Sequence, residues 1–446
     1  MLSKLALFDQ KIAIVDHDDR SYTYDDLIKR ALVYQKTLLA NIPEGSSVAI
    51  LSDYSFEAIA LFSALYEKKA IITPITSTTH AEINERIAIA QCSYSIAYHG
   101  ESFVVTAHTN DTTPHPMLEN LQKISDAGLI LFSSGSTGKP KAMVHNLSHL
   151  VAHYEMKKSK NLVMLLFLMF DHIGGLNTML NILSMGATMV IPHNRNPEHI
   201  CALIERYHVA VLPSSPTFLN LILMSGAHER YDLSSLRMIT YGTETMPESL
   251  LGKLKIIFPK IKFLQTFGTS ETGIATTSSK ASDSTLMRIE DASCEYKIVN
   301  HTLWLKSDTQ ILGYLNASME SFHEGWFDTG DLVEESEDGF LRIIGRAKEV
   351  INVGGQKVLP NEVESVILMM PEVQDCMVSA ISNAITGQSV AVEVVLKDPK
   401  DATSIKKMIR TFCKSRLDGY KIPTHVNVVE QTHFSERFKK MRLNHS

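Results

Sequence analysis

A run of small and hydroxyl-bearing residues that includes two lysines carries the clearest chemical signal in this sequence. Residues 133–141 read Ser-Ser-Gly-Ser-Thr-Gly-Lys-Pro-Lys and directly follow the apolar residues 129–132. The backbone N–H and hydroxyl groups of such a run can turn towards one phosphate, and lysine adds positive charge. A P-loop has four residues between its glycines and Ser or Thr after its lysine, whereas here two residues intervene and Pro140 follows. We predict a phosphate-binding loop of another type, although the run alone would also suit a flexible linker.

Four later segments combine glycine with aromatic, hydroxyl or carboxylate side chains. They occupy residues 241–244, 265–273, 326–331 and 345–355. Glycine lets a backbone approach a flat ligand closely, and a carboxylate binds hydroxyl groups or a hard cation. A basic segment, residues 434–442, lies near the end of the sequence. These segments favour a binding site over a linker as the interpretation of the first run.

Alternating strand and helix patterns must position these segments. Short apolar runs predict strands at residues 11–15, 48–51, 70–72, 129–132, 188–191, 209–212 and 262–264. Helical patterns lie between several of them, as at residues 56–66. This alternation favours an α/β fold, with largely parallel sheets wrapped by helices. We predict a large N-terminal domain, residues 1–345, and a small mobile α+β domain, residues 346–446, because charge rises and glycine clusters near the junction.

The composition excludes several classes of protein. The 446 residues are 44% apolar and 21% charged, with a net charge of −6, which argues against a disordered chain and a basic nucleic-acid-binding protein. The longest apolar run, residues 162–170, is about half of a membrane span, and the start lacks the pattern of a signal peptide. Five scattered cysteines argue against disulfides or a zinc site. We expect a soluble cytoplasmic protein, monomeric or homodimeric, without nucleic acid as a partner.

In their order and spacing, the five glycine-containing segments resemble the adenylate-forming superfamily, which includes acyl-CoA synthetases, peptide-synthetase adenylation domains and firefly luciferase. The resemblance extends from about residue 12 to residue 442. It implies ATP-dependent activation of a carboxylic acid to acyl-AMP, with release of pyrophosphate. The acyl group would then pass to the phosphopantetheine thiol of CoA. Its implied cofactors are ATP, Mg²⁺, and CoA or the phosphopantetheine of a carrier protein.

Three other functions stay open at this point. The acceptor could be an acyl or peptidyl carrier protein instead of CoA. A non-catalytic relative could bind a nucleotide without turning it over, and a luciferase-like enzyme could oxidise the adenylate. The joint presence of Glu271, Asp331, Arg346 and Lys439 speaks against the non-catalytic relative.

The resemblance also implies roles for individual residues of the larger domain. It assigns the ATP phosphates to Ser133, Ser134, Gly135, Ser136, Thr137, Gly138 and Lys141, with Thr137 counted as catalytic. It assigns the adenine to Gly242, Thr243, Glu244, Phe267, Gly268, Thr269 and Ser270. Glu271 would be catalytic and hold Mg²⁺, while Asp331, helped by Arg346, would accept hydrogen bonds from the ribose hydroxyls.

The smaller domain is expected to move about a hinge at Lys348. The family pattern near the end reads Gly-Lys-x-x-Arg, which selects Lys439 as the catalytic lysine and places Phe438 where the glycine would be. Lys440 is the alternative. Gly354 and Gly355 would line the path of the incoming thiol, or form an ordinary turn.

The acid itself is left open between two alignments. If His172 and Ile173 match the acyl- and aryl-CoA ligases, they begin an acyl pocket and no group binds an α-amino substituent. If Phe170 and Asp171 match the peptide synthetases, Asp171 would pair with a substrate ammonium group. The two glycines after Ile173 favour the first alignment.

Overall fold

The structure is a computed structural model that describes residues 1–99, 102–109, 113–134, 139–155, 157–398, 404–435 and 438–442. Within these ranges the α-helices are Leu2–Leu5, Tyr24–Lys36, Phe56–Glu67, His80–Ile89, Pro116–Lys123, Leu147–Glu155, Ile173–Met185, Pro197–Tyr207, Pro216–Ser225, Ala227–Arg230, Glu248–Ile257, Pro360–Ile367 and Ile405–Lys414. Short 3₁₀ helices cover Ala347–Glu349 and Gly419–Lys421.

Two seven-stranded sheets form the body of the larger part. Sheet A has the spatial order Lys262–Gln265, Met238–Tyr241, Val211–Ser214, Val163–Leu165, Thr188–Val190, Ile12–Val15 and Ser21–Thr23. Sheet B has the order Gly313–Tyr314, Pro140–Asn146, Gly128–Ser134, Ile71–Ile75, Ser47–Leu51, Tyr94–His99 and Ser102–Ala107. All pairs of sheet A are parallel except the edge pair Ile12–Val15 and Ser21–Thr23. In sheet B the central pairs are parallel and the outer pairs antiparallel. The α/β fold with parallel-rich sheets is thereby confirmed.

Helices Phe56–Glu67 and Ile173–Met185 lie in the core between these two sheets. Both are apolar around almost their whole circumference, which is typical of a helix without a solvent face. One apolar cluster joins them to Ile14 and Met189 of sheet A and to Val48 and Ile72 of sheet B. The two sheets therefore share a single core.

The remaining three sheets are mainly antiparallel, with one parallel pair in sheet E. Sheet C pairs Phe267–Thr269 with Gly273–Ala275. Sheet D has the order Thr277–Ser279, Met287–Ile289, Leu341–Arg346, Trp326–Glu335, Thr302–Ser307 and Cys294–Val299, with Phe322–His323 beside Trp326–Glu335. Sheet E comprises Gln356–Val358, Ile351–Val353, Gly387–Leu396 and Val373–Asn383, with His425–Val428 beside Gly387–Leu396. The alternation of strands and helices did not predict the antiparallel sheet D.

The junction between the two parts lies between sheets D and E. The last strand of sheet D ends at Arg346, and the first strand of sheet E begins at Ile351. The 3₁₀ helix Ala347–Glu349 occupies the gap and contains Lys348. A boundary at residue 346 stays a prediction. Sheet E, its two helices and the later residues 434–435 and 438–442 are together named the lid below.

Two features of the described ranges bear on the expected class of protein. Among these residues, no helix combines the length and apolar character needed to cross a membrane. All five cysteines are buried thiols, and burial raises the pKa of Cys92 and Cys413 to about 11 and that of Cys201 to about 12. These thiols therefore stay protonated near neutral pH.

Candidate active site

A large cavity among the described residues lies between the lid and the larger part. We name it the main cleft; its volume is about 180 Å³, and it receives residues from five of the six sequence segments. Strands Met238–Tyr241 and Lys262–Gln265 run in parallel, with Tyr241 opposite Gln265. Their carboxyl ends therefore deliver Gly242 and Phe267 to one edge of sheet A, where ligands of open α/β sheets usually bind.

Asp331 and Arg346 form an ion pair in the wall of this cleft. They lie opposite each other on two antiparallel strands of sheet D, and 2.9 Å separates Arg346 Nε from Asp331 Oδ1. Asp331 is 6% exposed and Arg346 42%. Burial raises the pKa of Asp331, while the positive charges of Arg346 and Lys439 oppose that rise. The pair presents a buried carboxylate to a ligand, as hydrogen bonding to hydroxyl groups requires.

The turn after strand Met238–Tyr241 offers polar atoms to the cleft. Thr243 adopts a left-handed backbone conformation with φ of 71°, which is uncommon for a residue other than glycine. Thr243 Oγ1 and Gln265 Oε1 are buried and have no hydrogen-bond partner among the described residues. Because buried polar atoms in native proteins are almost always paired, these two are suited to a polar ligand such as a nucleotide base.

The glycines of this region are required by the chain's own packing. A Cβ on Gly242 would lie 2.7 Å from Thr266 Oγ1, and one on Gly268 would lie 2.2 Å from the carbonyl oxygen of Gly273. Close approach of two backbone segments therefore explains both residues, whether or not adenine packs there. Phe267, beside Gly268, is buried and lines the cleft.

Glu244 and Thr269 make protein contacts that the motifs do not predict. Glu244 Oε2 accepts hydrogen bonds from Thr217 Oγ1 at 2.9 Å and from the backbone N–H of Lys440 at 3.2 Å. Burial raises the pKa of Glu244. Thr269 Oγ1 accepts from the N–H groups of Glu271 and Thr272, which fixes the local turn around Ser270. Glu244 therefore links the lid to the larger part, in addition to lining the cleft.

The predicted magnesium ligand lies in a separate group outside the lining of the main cleft. Tyr314 donates its hydroxyl hydrogen to Glu271 Oε1 at 3.0 Å, and Lys141 Nζ lies 5.6 Å from the centre of the Tyr314 ring. Ser133 and Lys141 are opposite each other in the antiparallel pair Gly128–Ser134 and Pro140–Asn146. The phosphate segment therefore begins and ends in a β-hairpin whose base is beside Glu271.

Part of the phosphate segment is beyond what the structure describes. Gly135, Ser136, Thr137 and Gly138 lie outside the described residues, and Ser134 is described only as the end of its strand. The roles assigned to these residues stay predictions.

The two neighbouring lysines of the lid have different surroundings. Both lysines line the main cleft, and the charge of Lys439 acts on Asp331. Lys440 Nζ lies 2.6 Å from the carbonyl oxygen of Cys376, 3.2 Å from Asp375 Oδ1 and 3.8 Å from Glu364 Oε2. Burial opposes the charge of Lys440, but Asp375 and Glu364 outweigh it and raise its pKa. The geometry favours Lys439 over Lys440 as the residue that meets a ligand.

Arg442 completes a buried charge network that sequence reasoning missed. Its Nη2 donates to both oxygens of Glu364 at 3.1 and 3.2 Å and to Asn361 Oδ1 at 2.7 Å. Its Nη1 lies 2.9 Å from Glu349 Oε2. No sequence signal marked Glu364. It lies on helix Pro360–Ile367, and the structure shows that its position on this helix is buried.

A second, much smaller cavity opens beside the main cleft. We name it the side pocket; it is lined by Phe167, Leu168, Met169, His172, Arg195, Thr243, Phe438 and Lys439. His172 begins the helix Ile173–Met185, and its Nδ1 accepts a hydrogen bond from Gly174 N at 3.1 Å. Ile173 is buried in the core and does not line the pocket.

The remaining sequence candidates lie away from both cavities or at their margin. Asp171 is buried and forms an ion pair with Arg86, with 3.1 Å between Asp171 Oδ2 and Arg86 Nη1. Gly354 and Gly355 form an exposed two-residue turn with φ of 58° and 88°, so a tight turn accounts for both. Lys348 lines the margin of the main cleft. The hinge and the thiol path stay predictions.

Three features together define an adenylate-forming enzyme. They are a body of two parallel-rich sheets, a small lid, and a cleft that unites a buried carboxylate with a lid lysine. The chain belongs to the AMP-binding enzyme family: the family's model matches residues 4–314, and the model of its C-terminal domain matches residues 362–439. The resemblance drawn from the motifs is thereby confirmed. The chain is an AMP-forming carboxylic acid–thiol ligase.

Relatives and solved structures agree with this placement. The chain is 28% identical over 344 residues to a 2-succinylbenzoate–CoA ligase of Bacillus licheniformis, covering 72% of this chain and 70% of that protein. It is 25% identical over 455 residues to the 2-succinylbenzoate–CoA ligase of Geobacillus kaustophilus, covering 95% of this chain and 92% of that protein. The anthranilate CoA ligase AuaEII, solved with anthranoyl-AMP, superposes with a TM-score of 0.82 at 18% identity over 98% of this chain and 95% of that one.

Proposed function

We propose that this enzyme converts an acyl or aryl carboxylic acid that lacks an α-amino group into its CoA thioester, through an acyl-AMP. The convergence of Asp331, the Thr243 turn and Lys439 on one cleft supports this proposal more than any other observation. These groups come from three separate segments, and each has the chemistry that one part of an acyl-AMP needs. The proposal uses Lys439 as the catalytic lysine.

The first half-reaction needs positive charge where the acid meets ATP. A carboxylate oxygen attacks the α-phosphorus of ATP, the bond to the bridging oxygen of the β-phosphate breaks, and pyrophosphate leaves. The Lys439 ammonium attracts both the carboxylate and the α-phosphate, and so stabilises charge that gathers between them. Asp331 accepts hydrogen bonds from the ribose hydroxyls, which holds the nucleotide in register with Lys439.

The Glu271 group has a donor set that fits Mg²⁺. Magnesium in nucleotide enzymes usually takes one or two carboxylates together with substrate phosphates and water. Glu271 supplies a carboxylate next to the base of the phosphate segment, and Lys141 adds positive charge beside it. When bound, Mg²⁺ would neutralise phosphate charge. Glu271 would hold the ion, and Tyr314 would orient Glu271.

The surroundings of Asp171 favour an acid without an α-amino group. Its carboxylate is buried against Arg86 and does not line the side pocket. Four of the eight lining side chains are apolar and none is acidic, and the one guanidinium, Arg195, donates to Asp53 Oδ2 at 2.7 Å. A substrate ammonium group would find no carboxylate among the pocket-lining residues that the structure describes.

CoA is the proposed acceptor because the relatives that match along most of this chain are named as CoA ligases. The thiol attacks the acyl carbon, the bond from that carbon to the AMP oxygen breaks, and AMP leaves. No protein nucleophile is required, which agrees with the raised pKa values of the buried cysteines. The thiol path along Gly354 and Gly355 is part of the proposal.

Pyrophosphate release on a panel of fatty, aryl and amino acids tests this function. The assay is run without an acceptor, with CoA, and with a pantetheinylated carrier protein. We expect release with at least one fatty or aryl acid, faster turnover with CoA, and a CoA thioester detectable by mass spectrometry. Stimulation by the carrier protein alone would reassign the acceptor, and activity confined to amino acids would contradict the proposed substrate class.

A further inference from the structure

Phe438 places an aromatic ring from the lid inside the side pocket. Its ring centre lies 5.3 Å from that of Phe167, 5.0 Å from that of Phe218 and 5.7 Å from that of Phe434. Phe167 and Phe218 belong to the apolar core of sheet A, against which Phe438 packs. A side chain of the lid therefore forms one wall of a pocket in the larger part.

The backbone of this residue is held in an uncommon conformation. Phe438 has φ of 51°, in the left-handed region that favours glycine. Its N–H donates to the carbonyl oxygen of Ser435 at 2.8 Å, and its own carbonyl oxygen accepts from Ser215 Oγ at 2.9 Å. A phenylalanine at a position that suits glycine indicates that the ring contributes something that offsets this conformational cost.

The side pocket continues directly from the main cleft. Thr243 and Lys439 line both cavities, so an acid whose carboxylate meets Lys439 would extend its remaining atoms towards His172 and Phe438. With the Phe438 ring in place the side pocket has a volume of about 10 Å³. That volume is about the lower limit for a single water molecule. The space left for the acid beyond its carboxylate is therefore very small.

We propose that Phe438 determines the size of the acid: its ring closes the end of the acyl pocket when the lid brings Lys439 to the main cleft. This inference rests on the proposed function, because it treats the side pocket as the acyl site. Phe438 and Lys439 are adjacent, so one lid position sets both. A long acid would meet the ring before the lysine reached its carboxylate. The enzyme is therefore selective for short-chain acids of a few carbon atoms.

The position of Phe438 on the lid also predicts how the selection appears in kinetics. An acid can enter while the lid is displaced, since the ring is then absent from the pocket. Long acids should consequently bind but react slowly, so that selectivity appears mainly in kcat for pyrophosphate release and less in KM. A fixed wall would instead exclude long acids from binding and raise their KM.

Variants of Phe438 test the proposal with straight-chain acids from acetate to decanoate. Phe438→Gly and Phe438→Ala remove the ring, and Phe438→Met keeps comparable bulk; Phe434→Leu alters a neighbouring ring that does not line the pocket. We expect the ratio of kcat for long acids to kcat for short acids to rise about tenfold or more in the Gly and Ala variants. The Met and Leu variants should keep the wild-type profile. An unchanged profile in the Gly and Ala variants would overturn the proposal.

A binding measurement separates this proposal from the proposed function. Acyl-sulfamoyl-adenosine analogues of acetate and octanoate, which resemble acyl-AMP but do not react, are titrated by calorimetry into the wild type and the Phe438→Gly variant. We expect the octanoyl analogue to gain about tenfold in affinity in the variant while the acetyl analogue changes little. Equal changes for both analogues would overturn the size selection, even if the enzyme released no pyrophosphate with any acid. Absence of pyrophosphate release with normal analogue binding would instead contradict the proposed reaction.

Discussion

The neighbouring lysines Lys439 and Lys440 should respond to the same substitution in opposite ways. Lys440 is 11% exposed, and its partners Asp375 and Glu364 are 8% and 3% exposed. Removing one member of a buried ion pair commonly costs about 3–5 kcal/mol, because the opposite charge is left without compensation. The loss of stability in Lys440→Met should lie near the lower limit of this range, about 3 kcal/mol. Asp375 keeps its hydrogen bond from Thr432, and Glu364 keeps Arg442.

This loss should appear as faster local opening of the lid. Hydrogen exchange of strand Val373–Asn383, which contains Asp375, is expected to accelerate about a hundredfold in Lys440→Met, the equivalent of about 3 kcal/mol. Lys439→Met should change that exchange far less, because the charge of Lys439 acts on Asp331 of sheet D. The same variant should reduce acid-dependent pyrophosphate release by a factor of about 10²–10³, the usual effect of losing one group that stabilises transition-state charge.

The two assays together discriminate between the lysines. A Lys439→Met variant that keeps full adenylation would refute the assignment of Lys439. So would a Lys440→Met variant with normal lid exchange and a selective loss of adenylation, since this result would exchange the two roles.

Three further predictions concern the cleft and its support. Asp331→Asn should weaken ATP binding ten- to hundredfold in titration calorimetry, because a hydrogen bond to a charged group contributes about 1.5–3 kcal/mol; unchanged affinity would remove Asp331 from the ribose site. Asp331→Asn should not lower the free energy of unfolding at pH 7. Burial raises the pKa of Asp331, so at a pH above the unfolded-state pKa the folded state disfavours the charged carboxylate. Burial lowers the pKa of His145 from 6.5 to about 4, so the folded state disfavours the protonated imidazole. The folded protein should therefore lose stability as the pH falls from 6.5 to about 4. Urea unfolding at pH 7 and pH 4 should show a loss of about 3 kcal/mol that is absent in His145→Gln, and parallel pH profiles would contradict this. Gly268→Ala should lower the free energy of unfolding in urea by about 1–3 kcal/mol, because its Cβ would meet a backbone oxygen. Gly252 lies in the middle of helix Glu248–Ile257, where a Cβ would meet no atom within 4 Å, so Gly252→Ala should raise that free energy by about 0.5–1 kcal/mol. Equal effects of the two variants would refute the packing argument.

The parallel sheets and the main cleft could be predicted because their signals are local in sequence. Apolar runs such as residues 188–191 and 209–212 correspond to strands of sheet A, and the glycine segments follow such strands directly. Gly242 and Phe267 could therefore be placed together, since the carboxyl ends of parallel neighbours meet at one edge. Sheet D was not predicted, because its antiparallel strands alternate in exposure, as the pattern of Trp326–Glu335 shows, and form no continuous apolar run.

Other parts of the site depend on contacts distant in sequence. Lys439 and Lys440 are the same residue type, and the buried acidic partners of Lys440 distinguish the two in the structure. The partners of Lys440, Glu364 and Asp375, are more than sixty positions away. Glu244 was predicted to contact adenine, and its hydrogen bond to the backbone of Lys440 has no sequence signal. In the sequence, Phe438 is distinguished only because it replaces the glycine of the family pattern.

Oxygen transfer from the acid to AMP tests the central claim most directly. The enzyme is given ATP, CoA and a reactive acid whose carboxylate carries ¹⁸O, and the products are examined by mass spectrometry. If the acid oxygen attacks the α-phosphorus and the thiol later breaks the bond between the acyl carbon and that oxygen, the AMP carries one ¹⁸O atom and the acyl group becomes a CoA thioester. If the label appeared in inorganic phosphate with ADP as the nucleotide product, the acid would be activated as an acyl phosphate. The assignment of an acyl-AMP to this cleft would then be wrong.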